Sequence, residues 1–225
     1  MVSQSWREQN EWLEHQQDGD FFLYIQRFDR AEESFKTAIK KAEDARFRDA
    51  RLARSQTGLA RAYSNRHKFE EALKYYNQAL EIKKKAYGEN HYDVADILTE
   101  RAFVNASLSK IDAATQDLHR VEKINTNLKA HALLELQFVE AVIDMQSGKE
   151  TAALPKFKLT TEQFISQIDL HRYPQSTKSM RIARECGERY AALLEANGRK
   201  DEAKAYRNKL RPISEWMMIL GESGV

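Results

Sequence analysis

The side chains with the widest chemical reach are six histidines, His15, His67, His91, His119, His131 and His171, and one cysteine, Cys186. Imidazoles bind metals and move protons near neutral pH, but only with partners at suitable spacing. No pair forms His-Glu-x-x-His, and no histidine has a glutamate three residues before it, the arrangement that builds di-iron sites in helical bundles. His67, His91 and His171 fall among turn and loop residues and read as solvated or capping groups. Cys186 lies between Arg184 and Arg189, and positive charge can favour a thiolate. No Cys-His relation is visible, so it reads as an inert thiol, and a single cysteine excludes an internal disulfide. Gly148-Lys149 and Gly198-Arg199 lack the earlier glycine of a phosphate loop. Glu32-Glu33 and Glu70-Glu71 suit the positive starts of helices. These side chains predict no enzyme, no metal and no cofactor.

What remains to be explained is the scaffold. The chain has 225 residues, 42% hydrophobic and 31% charged, with only 8 glycines and 3 prolines. That mixture suits long amphipathic helices joined by short turns, whereas a strand-rich fold needs more turn residues and β-branched runs. A net charge of +2 decides nothing about nucleic acid as a partner. The first residues form no secretory leader, and no run approaches the ~18 apolar residues of a membrane span. A soluble, cytoplasmic, all-α protein without a membrane contact is expected.

Ala31, Ala72, Ala114, Ala153 and Ala203 each sit early in an apolar helical stretch, at intervals of 41, 42, 39 and 50 residues. A recurrence of this size marks a solenoid of helix pairs, in which stacking supplies the core that no single unit could form. One unit is especially clear. Gly58-Leu59-Ala60, Tyr63, Phe69, Ala72, Tyr76, Ala79 and Leu80 stand at helical spacing on both sides of a turn near residues 65–68. The small residues let two helix axes approach, and the large ones fill the space between them.

This unit resembles the tetratricopeptide repeat, with His67 where the turn glycine of that family usually lies. The stretch 79–95, through Gly88, His91, Asp93, Val94 and Ala95, is similar to the connector of kinesin-light-chain-type repeats, although the usual loop prolines are missing. The resemblance implies a single domain over 1–225. It would be a right-handed superhelical solenoid of about five antiparallel hairpins, at 5–46, 47–90, 91–127, 128–170 and 176–211. A short helix at 212–221 would cap the stack or serve a dimer or partner contact. Pro155 should bend its helix or shift its start, and residues 169–178 read as a loop.

Charge is graded along the chain. Residues 40–68 carry nine basic and three acidic side chains, net +6, and residues 89–117 net −4. Arg54 and Arg61, seven residues apart, share a helix face with Thr57 and Ser64. The resemblance places this face in a concave groove that holds extended peptides or helices. The corresponding positions are Gln16, Asp20 and Tyr24, then Arg54, Thr57, Arg61 and Asn65, then Asp96, Thr99, Phe103 and Ser107, with Phe138 and Val142 further on. Neither the Lys-Asn clamp for a terminal carboxylate nor the asparagine ladder of kinesin light chains transfers, since Gly58 and Glu100 occupy those places. The expected activity is a non-catalytic scaffold or adaptor that binds a protein segment, with acidic groups beside the two arginines and apolar ones near Phe103 and Phe138. The alternative is a nucleic-acid contact through 40–68. It is opposed by the core roles of Tyr63 and Phe69 and by the acidic neighbouring unit.

Overall fold

The computed structural model describes residues 4–124, 130–167 and 177–222. They form ten helices and no strand among the described residues. Two compact units result, Met1–Thr126 and Asn127–Val225. The first holds α1 (Gln4–Tyr24), α2 (Phe28–Asp44), α3 (Ala50–Asn65), α4 (Phe69–Tyr87), α5 (Tyr92–Ser107) and α6 (Ile111–Ile124). The second holds α7 (Ala130–Gln146), α8 (Glu150–Gln167), α9 (Thr177–Ala196) and α10 (Lys200–Glu222). Within each unit every helix packs on its sequence neighbour, and α1 also touches α3.

The periodic alanines have a geometric cause. Five residues before each one, at Gln26, His67, Ser109, Gly148 and Gly198, the backbone enters the left-handed region with φ between 58° and 76°. The next residue then donates its N–H to a carbonyl five positions back: Arg27 to Phe22, Lys68 to Tyr63, Lys110 to Asn105, Lys149 to Asp144 and Arg199 to Leu194, at 2.8–3.0 Å. This is the Schellman closure of a helix, and it is repeated at every hairpin. The expectation that His67 replaces a turn glycine is borne out by its φ of 58°. The alanines follow on the first turn of each second helix, all at 0% exposure, where only a methyl group fits between the paired rods.

Close approach is most severe at Phe35. Its ring, fully buried, lies over two glycines: a Cβ built on Gly19 of α1 would fall 2.5 Å from it, and one on Gly58 of α3 would fall 2.4 Å away. Phe35 of α2 therefore fills the place where side chains of both neighbouring helices would otherwise stand. A second small cluster, Trp12, Ala38, Ala42, Phe47 and Leu52, closes the other end of the same three helices. In the second unit Gly187 of α9 plays the corresponding part for Leu210 of α10, whose Cδ1 would lie 2.5 Å from an added Cβ. Tyr190 and Tyr206 meet edge to face at 4.6 Å beside them.

Two prolines lie inside helices, Pro155 where the sequence placed it and Pro212 where a helix boundary was expected. Pro155 lies within α8 and Pro212 within α10, and both helices are assigned continuously through them. The carbonyls that lose their intrahelical donors belong to Thr151 and Asn208, both exposed, so water can replace the missing bond. The expected separate helix at 212–221 is thus the continuation of α10. The side chains of 216–222, and with them the expected cap or dimer contact, lie outside the described residues. Most of the expected loop at 169–178 does too, although Thr177 and Lys178 already belong to α9.

Gly58→Ala should destabilise the first unit by about 1–3 kcal/mol through overpacking against Phe35. Urea denaturation followed by far-ultraviolet circular dichroism would measure this, and Gly58→Ala combined with Phe35→Leu should recover part of the loss.

Candidate protein-binding face

The first helices of the hairpins in unit one, α1, α3 and α5, are joined by polar side chains. A buried chain of hydrogen bonds starts at Trp12, whose Nε1–H donates to Ser55 Oγ at 2.9 Å. Ser55 donates to Gln16 Oε1 at 2.7 Å. The Gln16 amide donates to Asp20 Oδ1 at 3.1 Å, and Asp20 Oδ2 accepts from Arg54 Nη2 at 2.7 Å. Gln16 and Ser55 are fully buried, so their pairing satisfies groups that would otherwise be costly. The chain surfaces at the Asp20–Arg54 pair, where the side chains are 42% and 52% exposed.

The next joint is built more firmly. Arg61 Nε lies 2.9 and 3.0 Å from the two carboxylate oxygens of Glu100. Its Nη2 reaches Asp96 Oδ2 at 2.8 Å, and Tyr76 donates to Glu100 Oε2 at 2.8 Å. Burial alone would lower the Arg61 pKa, but Glu100 and Asp96 outweigh it and hold the guanidinium charged. Thr57 and Thr99 are buried, and their hydroxyls donate to the carbonyls of Ala53 and Ala95 at 2.8 and 3.0 Å. Asn65 donates to the Arg61 carbonyl at 2.7 Å. Phe103 is half-buried and meets Phe69 edge to face at 6.2 Å. Phe138 belongs to α7 in the second unit, where it is buried 6.3 Å from the Phe157 ring.

The two charged stretches are tied to each other at one point and to their neighbours at others. Arg61 from the basic stretch takes Asp96 and Glu100 from the acidic one, and Arg101 grips Asp117 at 2.5 Å. Glu32, nearly buried on α2, gathers Lys36 at 2.6 Å, Lys68 at 3.5 Å and Arg66. Phe47 is buried beneath the Arg51 guanidinium at 3.5 Å, and Tyr63 is buried too. These aromatic rings interleave the basic residues but are core side chains, which weighs against their serving as base-stacking platforms. Sequence reasoning missed the Glu32 cluster and the Trp12–Ser55–Gln16 chain, because both join residues more than thirty positions apart and no local spacing signals them.

Among the described residues no group of three His, Cys, Asp or Glu could hold a metal, and no helix is long and apolar enough to cross a membrane. Burial, with the negative charge of Glu185 assisting, pushes the Cys186 thiol pKa well up, in line with an inert thiol. His91 caps α5, its Nδ1 accepting the Asp93 N–H at 3.2 Å, and stacks between Tyr87 and Tyr92 at 4.5 and 4.4 Å. His171 lies outside the described residues.

The tetratricopeptide repeat profile matches residues 19–85 and 51–127. Residues 19–127 are thus a run of tetratricopeptide repeats. No curated protein matches it. Among solved structures it is similar to the nearly identical TPR-like repeats of a Podosopora anserina protein described as a kinesin light chain. That match has 19% identity and a TM-score of 0.54, over 95% of this chain and 97% of the other. A variant of the same repeats gives 18% and 0.56, over 97% and 99%. BtubC (BKLC) from P. vanneervenii gives 18% and 0.55, over 88% and 78%. These likenesses establish the helical-repeat solenoid fold. Tetratricopeptide repeat proteins generally act as protein-protein interaction scaffolds.

The Glu32 cluster makes stability depend on acid. Burial raises the Glu32 pKa, but Lys36, Lys68 and Arg66 together bring it below its ordinary value of 4.5. A carboxylate with a lowered folded pKa contributes stability above its unfolded pKa and loses it as the pH falls through the folded one. Glu32→Gln should therefore be less stable than the wild type at neutral pH and should converge with it as acid takes the pH through the lowered folded pKa. Urea midpoints across that range would reveal the convergence.

Proposed function

We propose that the chain is a cytoplasmic, non-catalytic adaptor that binds a protein segment along the face made by α1, α3 and α5, with Arg54 as the principal charged contact and Phe103 as an apolar one. The observation that carries this reading is the contrast between the two arginines. Arg61 is held by two carboxylates, one of them buttressed by Tyr76, and acts as a strut between α3 and α5. Arg54 is half-exposed and has a single side-chain hydrogen bond among the described residues. An exposed pair of this kind is worth about 0–1 kcal/mol, so Arg54 can turn to a ligand at little cost to the fold.

Thr57, Thr99 and Asn65 support this face from within: each bonds to a backbone carbonyl one turn earlier in its own helix. Asp96, about half-exposed beside Arg61, would face basic or hydrogen-bond-donating groups of the visitor. Charge pairing would set orientation and on-rate, and burial of apolar side chains near Phe103 would set residence time.

Arg54→Glu should weaken binding of a partner captured from the native extract by about tenfold while leaving the thermal midpoint nearly unchanged. Arg61→Glu should lower the midpoint itself, since it sets three carboxylates together. Calorimetric titration alongside thermal denaturation separates the two, and full affinity in Arg54→Glu rejects this face. A collapse of binding with modest salt, for a nucleic-acid probe rather than a protein, would favour the phosphate contact instead.

A further inference from the structure

The Asp20–Arg54 joint has an asymmetry that bears on what the face selects. Both oxygens of Asp20 are engaged, Oδ1 by the buried Gln16 amide at 3.1 Å and Oδ2 by Arg54 at 2.7 Å. Arg54 spends one N–H on Asp20, and its remaining N–H groups have no partner among the described residues. The unused capacity at this joint is therefore of the donor kind, and a guanidinium with an open fork suits a carboxylate that accepts two parallel bonds. Arg61 offers no such opening, since its Nε and Nη2 already serve Glu100 and Asp96.

We infer that Asp20 is a built-in competitor for Arg54: it occupies the guanidinium in the free protein and lowers its affinity for a carboxylate on the bound segment. This rests on the binding face proposed above and adds a determinant of its specificity. Asp20 cannot swing away freely, because Gln16 ties it through Ser55 to the buried Trp12. An arriving carboxylate thus shares Arg54 with a fixed negative charge. The penalty discriminates against weakly acidic visitors and leaves neutral ones unaffected, and it falls with ionic strength because the pair is exposed.

The test uses the full chain and two fluorescein-labelled probe peptides, one alternating Glu and Leu and one with Gln in place of Glu, read by fluorescence anisotropy. Asp20→Asn should bind the Glu peptide about threefold or more tightly than wild type, in the range of an exposed charge pair, with the Gln peptide unchanged and the gain shrinking in higher salt. Arg54→Gln should erase the difference between the peptides, and thermal midpoints would establish that both variants are folded. Glu-peptide affinity that is unchanged or weaker in Asp20→Asn, while Arg54→Gln and Phe103→Ala still reduce binding, overturns the inference and leaves the binding face standing. Binding that ignores Arg54→Gln and Phe103→Ala alike, or no binding of either peptide, overturns both.

Discussion

The architecture depends on how near two helices can come. At Gly19 and Gly58 the backbones of α1 and α3 approach Phe35 so closely that a single added carbon on either would enter its ring. The five buried alanines apply a milder form of the same rule at the start of each second helix. Once these small residues set the separation, the crossing geometry and the positions of the larger side chains follow, because interiors pack at near-crystalline density. The hairpin turns then close with one repeated hydrogen-bond pattern, whether the left-handed position holds glycine or not.

Electrostatics is layered onto that packing. A net +6 stretch beside a net −4 stretch would suggest two opposed surfaces, but six of the nine basic side chains pair with carboxylates of the same unit. Asp20, Glu100 and Asp117 each bind a basic side chain contributed by another helix, and Glu32 binds Arg66 and Lys68 of the turn between α3 and α4. Such links fix the rotation of one helix against the next, which the apolar contacts alone specify less sharply. The charge left to recognise a visitor is accordingly smaller than the composition suggests, and it is concentrated where a pair is exposed and incompletely bonded.

Much of the fold was legible because it is local. The alanine interval, the turn at His67, the glycines at 148 and 198, and the capping role of His91 all follow from residues within one hairpin or connector. The proline at 212 was misleading, since an exposed residue's carbonyl tolerates the loss of its donor and the helix continues. The candidate site was less legible. Spacing placed Arg54 and Arg61 on one face, but their different partners lie 34 to 39 residues away in sequence, beyond any periodic signal. Thr57 and Thr99 were read as lining a surface, yet their hydroxyls return to their own helices.

The lone thiol has a use of its own. Cys186 sits at 0% exposure on α9, next to the glycine that admits Leu210, and no other residue competes for an alkylating reagent of thiol specificity. Its labelling requires the second unit to breathe, so the reaction rate becomes a clock for local opening there. Events confined to α1, α3 and α5 would leave that clock untouched, which makes it an internal means of telling whether a visitor on the first unit is felt in the second.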